Sequence, residues 1–197
     1  MFFINLIFYK RVMQKNWLIK YINKRYILKF GNKIFECQIG NGGLKNAKKK
    51  LEGDKSTPIG KWYLVNLYYR SDRVQRPKFK QRNVLKINQI SKHCGWCDDT
   101  NSHYYNKYVK INNSISKNTN YEKLWREDKA YDIIIVISHN MKPILKNKGS
   151  AIFIHCSFND FRNTAGCIAL KKTDLVFLLK NLRHHTKIKF QNQHKKI

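Results

Sequence analysis

The sequence predicts one β-rich α+β domain. Three observations carry that expectation: two uninterrupted β-branched runs, "YDIIIVISHN" and "SAIFIH", short alternating segments punctuated by Gly, Pro and Asn, and a single C-terminal stretch with helical spacing. With 197 residues the chain is long enough for one ordinary hydrophobic core and too short for two.

Residues 1–16 read as a short apolar and basic N-terminal segment. The apolar part of "MFFINLIFYKRV" falls well short of the ~20 residues of a membrane span. It lacks a preceding basic stretch and a following small-residue cleavage site, so it does not establish export, and Met13 leaves room for a later start or an eroded targeting segment. The domain is expected over 17–190, followed by a basic tail at 191–197.

"RYILKF" and "KIFECQI", joined by Gly31-Asn32, predict a β-hairpin. "GNGGLKN" lacks the spacing and setting of a nucleotide-binding loop and reads as a turn. "GDKSTPIGKWYLVNLYY" is a Pro-Gly loop entering a strand, with Trp62, Leu64 and Asn66 on one face and Tyr63, Val65 and Leu67 on the other. From Arg70 to Tyr131 the chain is polar and aromatic-rich, which predicts long loops laid over a β scaffold, where function tends to sit. The two β-branched runs predict central strands buried on both faces, each ending at a histidine, His139 and His155. "TDLVFLLKNLRHH" predicts a helix with Leu175, Leu178, Leu179 and Leu182 on its buried face, Thr173 as N-cap, and His184 and His185 at its negative end. "TKIKF" closes as a short strand.

Forty Lys+Arg against twelve Asp+Glu give a net charge of +28, which favours nonspecific association with anionic wall polymer or a membrane surface. The lysines are scattered among abundant Asn and Ile, so compositional drift and solubility account for them as well, and no nucleic-acid reading motif accompanies them. No specific nucleic-acid partner is expected.

Five cysteines, Cys37, Cys94, Cys97, Cys156 and Cys167, leave at least one thiol free and argue against a disulfide framework. The C-x-x-C of "HCGWCDD" has no following helix pattern, which disfavours redox chemistry of the thioredoxin kind. Cys94, Cys97, His93 and His103 are a weak zinc set without a second C-x-x-C, and no metal is predicted. Asp98 and Asp99 form a solvated acidic pair or contact a substrate amine. Cys156, adjacent to His155 on a strand, should face away from it into the core, and Trp62, Trp96 and Trp125 either pack or floor a groove.

Cys167 follows Gly166 and lies twelve positions after His155. A thiol of pKa ~8.5 needs a nearby base to act as a nucleophile, and a strand-end histidine is a rigid place to hold one. Gly166 permits a turn that exposes the sulfur and aims amide N–H groups at a developing oxyanion, with the Thr164 hydroxyl beside it. A buried histidine and a buried cysteine sharing one segment is the competing reading.

"IH" followed by "TAGCIAL" resembles the nucleophile segment of the L,D-transpeptidase (YkuD-type) catalytic domain, a strand-end His before an (S/T)-x-G-C-(I/V) turn. "EGDKSTPIGKWYL" is similar to that family's T-P-x-G loop, and "RSDRV", "GWCDD", "YEKLWR", "YDIIIVISHN" and "GSAIFIH" resemble successive blocks of one compact branch, together covering about Lys29 to Phe190. The resemblance implies a β-sandwich or barrel with a C-terminal helix and long loops, and a cysteine acyltransferase that needs no cofactor. Its partners would be peptidoglycan stem peptides: attack on the carbonyl preceding a D-residue, loss of that residue, and transfer to an amine, with hydrolysis when water replaces the amine. It further implies work in the cell envelope, on wall biogenesis and cell shape.

Carried over, Cys167 is the nucleophile, His155 the base, Gly166 the oxyanion turn and Thr164 its hydroxyl, while His139 and Asn140 orient the base or contact substrate. Many relatives have an arginine two residues after the cysteine, where this chain has Ala169, and a bulkier residue at Ala165. Arg162 is the nearest replacement for binding a substrate carboxylate. The His155–Cys167 interval is shorter than in many relatives, which implies a trimmed loop. The alternative to catalysis is a degenerate fold of this type, or a basic module that binds polyanions.

Overall fold

The computed structural model describes residues 16–82, 84–112 and 119–190; the expected N-terminal segment up to residue 15 and the basic tail lie outside them. The described residues form a β-rich domain with one α-helix. In chain order come β1 (Trp17–Ile22), β2 (Arg25–Phe30), β3 (Lys33–Gln38), β4 (Leu44–Asn46), β5 (Thr57–Ile59), β6 (Lys61–Tyr69) and β7 (Lys86–Gln89). Then follow β8 (Cys94–Cys97), β9 (Tyr108–Lys110), β10 (Tyr121–Lys123), β11 (Ile133–Ile137), β12 (Phe153–Cys156), β13 (Ile168–Leu170), α1 (Lys172–Lys180) and β14 (Lys187–Phe190).

The main sheet runs β11-β12-β13-β3-β2-β1-β14-β6-β7, and β6 also pairs with β11. Eight strands therefore close into a ring, with β7 added at β6. The long β6 makes closure possible: Lys61–Tyr63 pair with β14, whereas Leu64 and the residues from Asn66 to Tyr69 pair with β11. The hairpin expected at Gly31-Asn32 forms as β2–β3, with Gly31 at a φ of 60°.

Alternation along β11 explains its continuous apolar run. Ile133, Ile135 and Ile137 enter the main core with Leu28, Leu67 and Leu178, whereas Ile134 and Val136 enter a second core with Trp96, Leu124 and Tyr131. Both faces are covered, so neither can be polar. β12 and β13 obey the same rule. Ile154, Cys156, Ile168 and Leu170 point into the main core, and Phe153 and Cys167 into the second. Cys156 thus faces away from the side that carries His155.

Four features differ from expectation. The alternation expected along "KWYLVNLYY" fails at a bulge: Val136 pairs with Asn66 but Ile137 with Leu64, so Leu64 and Leu67 share the main core although they are an odd number of residues apart. The stretch 70–131 is more than loops. β8, β9 and β10 form their own three-stranded sheet, in which the C-G-W-C residues are all buried, and this sheet supports the second core. The helix starts at Lys172, with Lys171 in the flanking position and no side-chain cap, so Thr173 lies inside the first turn. It ends at Lys180, so His184 and His185 are past the last turn, beyond the reach of the helix dipole. No helix among the described residues is long and apolar enough to cross a membrane.

Candidate active site

The turn that carries Cys167 is held by two other segments and by its own Thr164. Thr164 joins the end of β3 through its amide to the Ile39 carbonyl at 3.0 Å, and its own carbonyl accepts the Asn41 amide at 2.8 Å. Its hydroxyl accepts the Gly166 amide at 3.1 Å and donates to the Cys167 carbonyl at 2.7 Å, tying the turn across its own backbone. From the T-P-x-G loop, Thr57 accepts the Gly40 amide and donates to the Gly166 carbonyl, both at 2.8 Å.

Two glycines are required here. Gly166 has a φ of 138°, and a Cβ there would lie 3.1 Å from the Ser56 carbonyl oxygen. A Cβ on Gly40 would lie 2.8 Å from the Gly166 Cα and 2.2 Å from the Lys55 carbonyl oxygen. The sequence expectation for this turn needs two corrections, the first being that the turn does not expose the sulfur, because Cys167 packs into the second core. The Gly166 N–H is spent on the Thr164 hydroxyl, so it is not aimed at an oxyanion, and Thr164 serves as a brace.

Behind the turn, Asp54 accepts from the Leu51 and Ser56 amides at 2.9 Å and pairs with the Lys50 ammonium at 2.6 Å. Burial would raise the Asp54 pKa, but the Lys50 ammonium and those donors hold it below the ordinary carboxylate range. Lys50 is only 2% exposed, a buried cation held by the Asp54 carboxylate and the Leu51 carbonyl.

Parallel pairing places thiol and imidazole on one face. Ile154 is level with Ile168 and His155 with Ala169; continuing by one residue sets Cys167 beside Phe153. The Phe153 amide donates to the Cys167 sulfur at 3.3 Å. His155 and Cys167 are thus one strand apart and offset by two residues, about 8 Å between Cα atoms, with both side chains facing the second core.

At the His155 ring, Nδ1 lies 2.8 Å from the Cys156 carbonyl oxygen. That oxygen only accepts, so Nδ1 carries the proton and Nε2 is the basic nitrogen. The ring packs edge-on to Tyr131, 5.2 Å between centroids. Burial pushes its pKa down to about 4, with the Cys156 carbonyl opposing and Arg126 reinforcing.

The thiol is in its neutral form. Cys167 is 8% exposed, and its Sγ–H donates to the Ala151 carbonyl at 3.2 Å, from a residue with a φ of 50°. Burial pushes the pKa up to about 12, against the Phe153 amide. Near pH 7 the pair is a thiol and a free-base imidazole rather than a preformed ion pair. Such a pair supports general-base attack, in which the proton leaves sulfur as the new bond forms.

The other expected residues separate. β11 and β12 are antiparallel, and Ile134 stands opposite His155, so His139 lies five residues farther along, about 16 Å away. His139 therefore does not orient His155. Its Nε2 is 2.9 Å from the Lys148 carbonyl oxygen and its ring edge meets Trp62. Asn140 braces the loop beyond β11, donating to the Leu145 and Gly149 carbonyls and accepting the Leu145 amide. Arg162 is exposed, stacked 4.3 Å over Phe158 and 3.7 Å from Asp160.

The cation whose field reaches both the imidazole and the thiol is Arg126, which sequence reasoning missed. Its guanidinium lies 4.9 Å from the Tyr131 ring centre and is held by Glu122 at 2.9 Å and by Asp128. It sits within the "YEKLWR" block, where nothing in the local spacing marks it. Cys94 and Cys97 are buried on β8, and Trp96 packs edge-on to Phe153 while donating to Asn106 at 2.9 Å, so this tryptophan is packing rather than groove floor.

A family model described as the L,D-transpeptidase catalytic domain, YkuD, matches residues 14–189. The chain belongs to the L,D-transpeptidase catalytic-domain family. No curated protein matches it.

Proposed function

We propose that the protein is a cysteine-dependent L,D-transpeptidase acting on peptidoglycan stem peptides in the cell envelope. The observation that carries this reading is that His155 and Cys167 share one face of adjacent parallel strands, with the His155 tautomer set by the Cys156 carbonyl. Sγ leaves the Ala151 carbonyl and attacks the carbonyl carbon preceding a D-residue, while its proton passes to His155 Nε2. The tetrahedral intermediate collapses, the C–N bond breaks, and His155 returns the proton to the leaving D-amino acid. An acceptor amine then attacks the Cys167 thioester, loses a proton to His155, and the thiol is restored as the new amide forms. Water in place of the amine gives hydrolysis.

The test is intact-protein mass spectrometry of the folded chain with a carbapenem, a β-lactam whose ring opening acylates thiols of this kind. A single adduct mapping to Cys167, absent from Cys167→Ala with an unchanged circular dichroism spectrum, is the expected result. A folded chain that forms no adduct overturns the reading. The burial of Cys167 and its paired sulfur favour a second reading, a transpeptidase-like fold that binds anionic polymer through its net charge of +28. Polymer binding that falls steeply with salt and persists in Cys167→Ala, without any adduct, identifies that case.

A further inference from the structure

Beyond the C-terminal end of β11 lies a cavity of about 430 Å³ that contains neither His155 nor Cys167. Trp62, Met141 and Pro143 line it together with three lysines, Lys48, Lys142 and Lys148, and no lining residue is acidic. His139, 5% exposed, is part of the wall. The Lys148 carbonyl fixes the proton on His139 Nε2, which leaves Nδ1 a bare acceptor, and that buried nitrogen has no hydrogen-bond partner. Burial lowers the His139 pKa. The loop around the cavity is preformed, because the Asn140 side chain spans it from Leu145 to Gly149.

The cavity and the thiol lie on two sides of one short strap. A Cβ on Gly149 would be 3.2 Å from His139 Nε2, and two residues later the Ala151 carbonyl accepts the Cys167 thiol. The Cα atoms of Gly149 and Ala151 are at most about 7 Å apart, so a few residues of extended peptide bridge from sulfur to cavity.

We infer that this cavity is a subsite for a carboxylate-bearing segment of the peptide whose carbonyl Cys167 attacks. Its chemistry matches such a segment: ammonium groups for the carboxylate and an apolar floor for the chain. Naming the peptide rests on the acyl-transfer reading. The binding test below does not require turnover, so the two ideas fail separately.

The experiment is calorimetric titration of the full Cys167→Ala chain with two synthetic tetrapeptides. They differ only in whether a side chain two residues before the attacked carbonyl ends in a carboxylate or a carboxamide. The carboxamide should bind about fivefold more weakly. That preference should vanish in roughly 0.5 M salt and in Lys142→Glu/Lys148→Glu, with Lys142→Gln/Lys148→Gln as a milder control for folding. Equal affinity for the two peptides, or a preference that survives charge reversal, overturns the subsite even where carbapenem acylation of Cys167 proceeds. Loss of the adduct with the preference intact overturns the acyl-transfer reading alone.

Discussion

His155 and Ala169 are register partners on the parallel strands β12 and β13, so the residue two positions after the thiol lies directly beside the imidazole. Both are buried, at 2% and 0% exposure. The small side chain at 169 leaves no cation at that point, and the cation acting on both members of the pair is Arg126, stacked on the Tyr131 ring.

Placing an arginine at 169 should therefore damage this chain. Ala169→Arg forces a guanidinium into a closed space beside a neutral imidazole, with overpacking and an unpaired buried charge acting together. The expected loss is about 3 kcal/mol or more in urea unfolding. A variant as stable as the parent would show that the space beside His155 opens easily.

Arg126 lowers the His155 pKa while Asp128 opposes it. In Arg126→Gln the lowering charge is gone and the carboxylates remain, so the imidazole should hold its proton to higher pH. General-base attack needs the neutral ring, and the acid limb of Cys167 acylation should move upward in pH. The pH profile of adduct formation measures it, and a downward or absent movement contradicts the assigned role.

The Thr57 hydroxyl joins the Gly40 amide to the Gly166 carbonyl in a buried place. Thr57→Val leaves one donor and one acceptor without partners, a cost of about 2–3 kcal/mol, and frees the cysteine turn. Thr57→Ser keeps the oxygen and should recover most of both stability and acylation rate. Thermal unfolding together with the rate of adduct formation separates the turn's role from mere folding.

Stability should fall as the pH is lowered from 6.5 to about 4. The folded state keeps His155 neutral down to about 4, whereas the unfolded chain protonates near the ordinary value of 6.5. In that window the unfolded state holds the extra proton, and the integrated effect approaches roughly 3 kcal/mol. His139, also lowered by burial, adds in the same direction. The depressed Asp54 carboxylate extends the loss to lower pH. Urea midpoints across this range test it, and His155→Gln should flatten the slope.

Much of the scaffold was legible because its signals are local. Gly31-Asn32 has the chemistry of a hairpin turn, "IIIVI" has the composition of a strand covered on both faces, and the leucine spacing places α1 within a turn. The small sheet β8–β10 was not legible, since strands of three or four residues without alternation give no periodic signal. Likewise a bulge at Val65 reverses a pattern that looked regular.

By itself the sequence determined which thiol and imidazole to propose as a pair, through a Gly-Cys turn and a histidine twelve positions earlier on an apolar run. Only the tertiary structure decided their surroundings. Antiparallel pairing of β11 and β12 sent His139 to the opposite end of the sheet, parallel pairing of β12 and β13 set Ala169 against His155, and closure of the second core brought Tyr131, with Arg126 on its ring, against the imidazole. The physical reason is one of range: turn chemistry and side-chain period act over a few residues, whereas strand direction, register and the fields of distant charges depend on how segments far apart in the chain come to be neighbours.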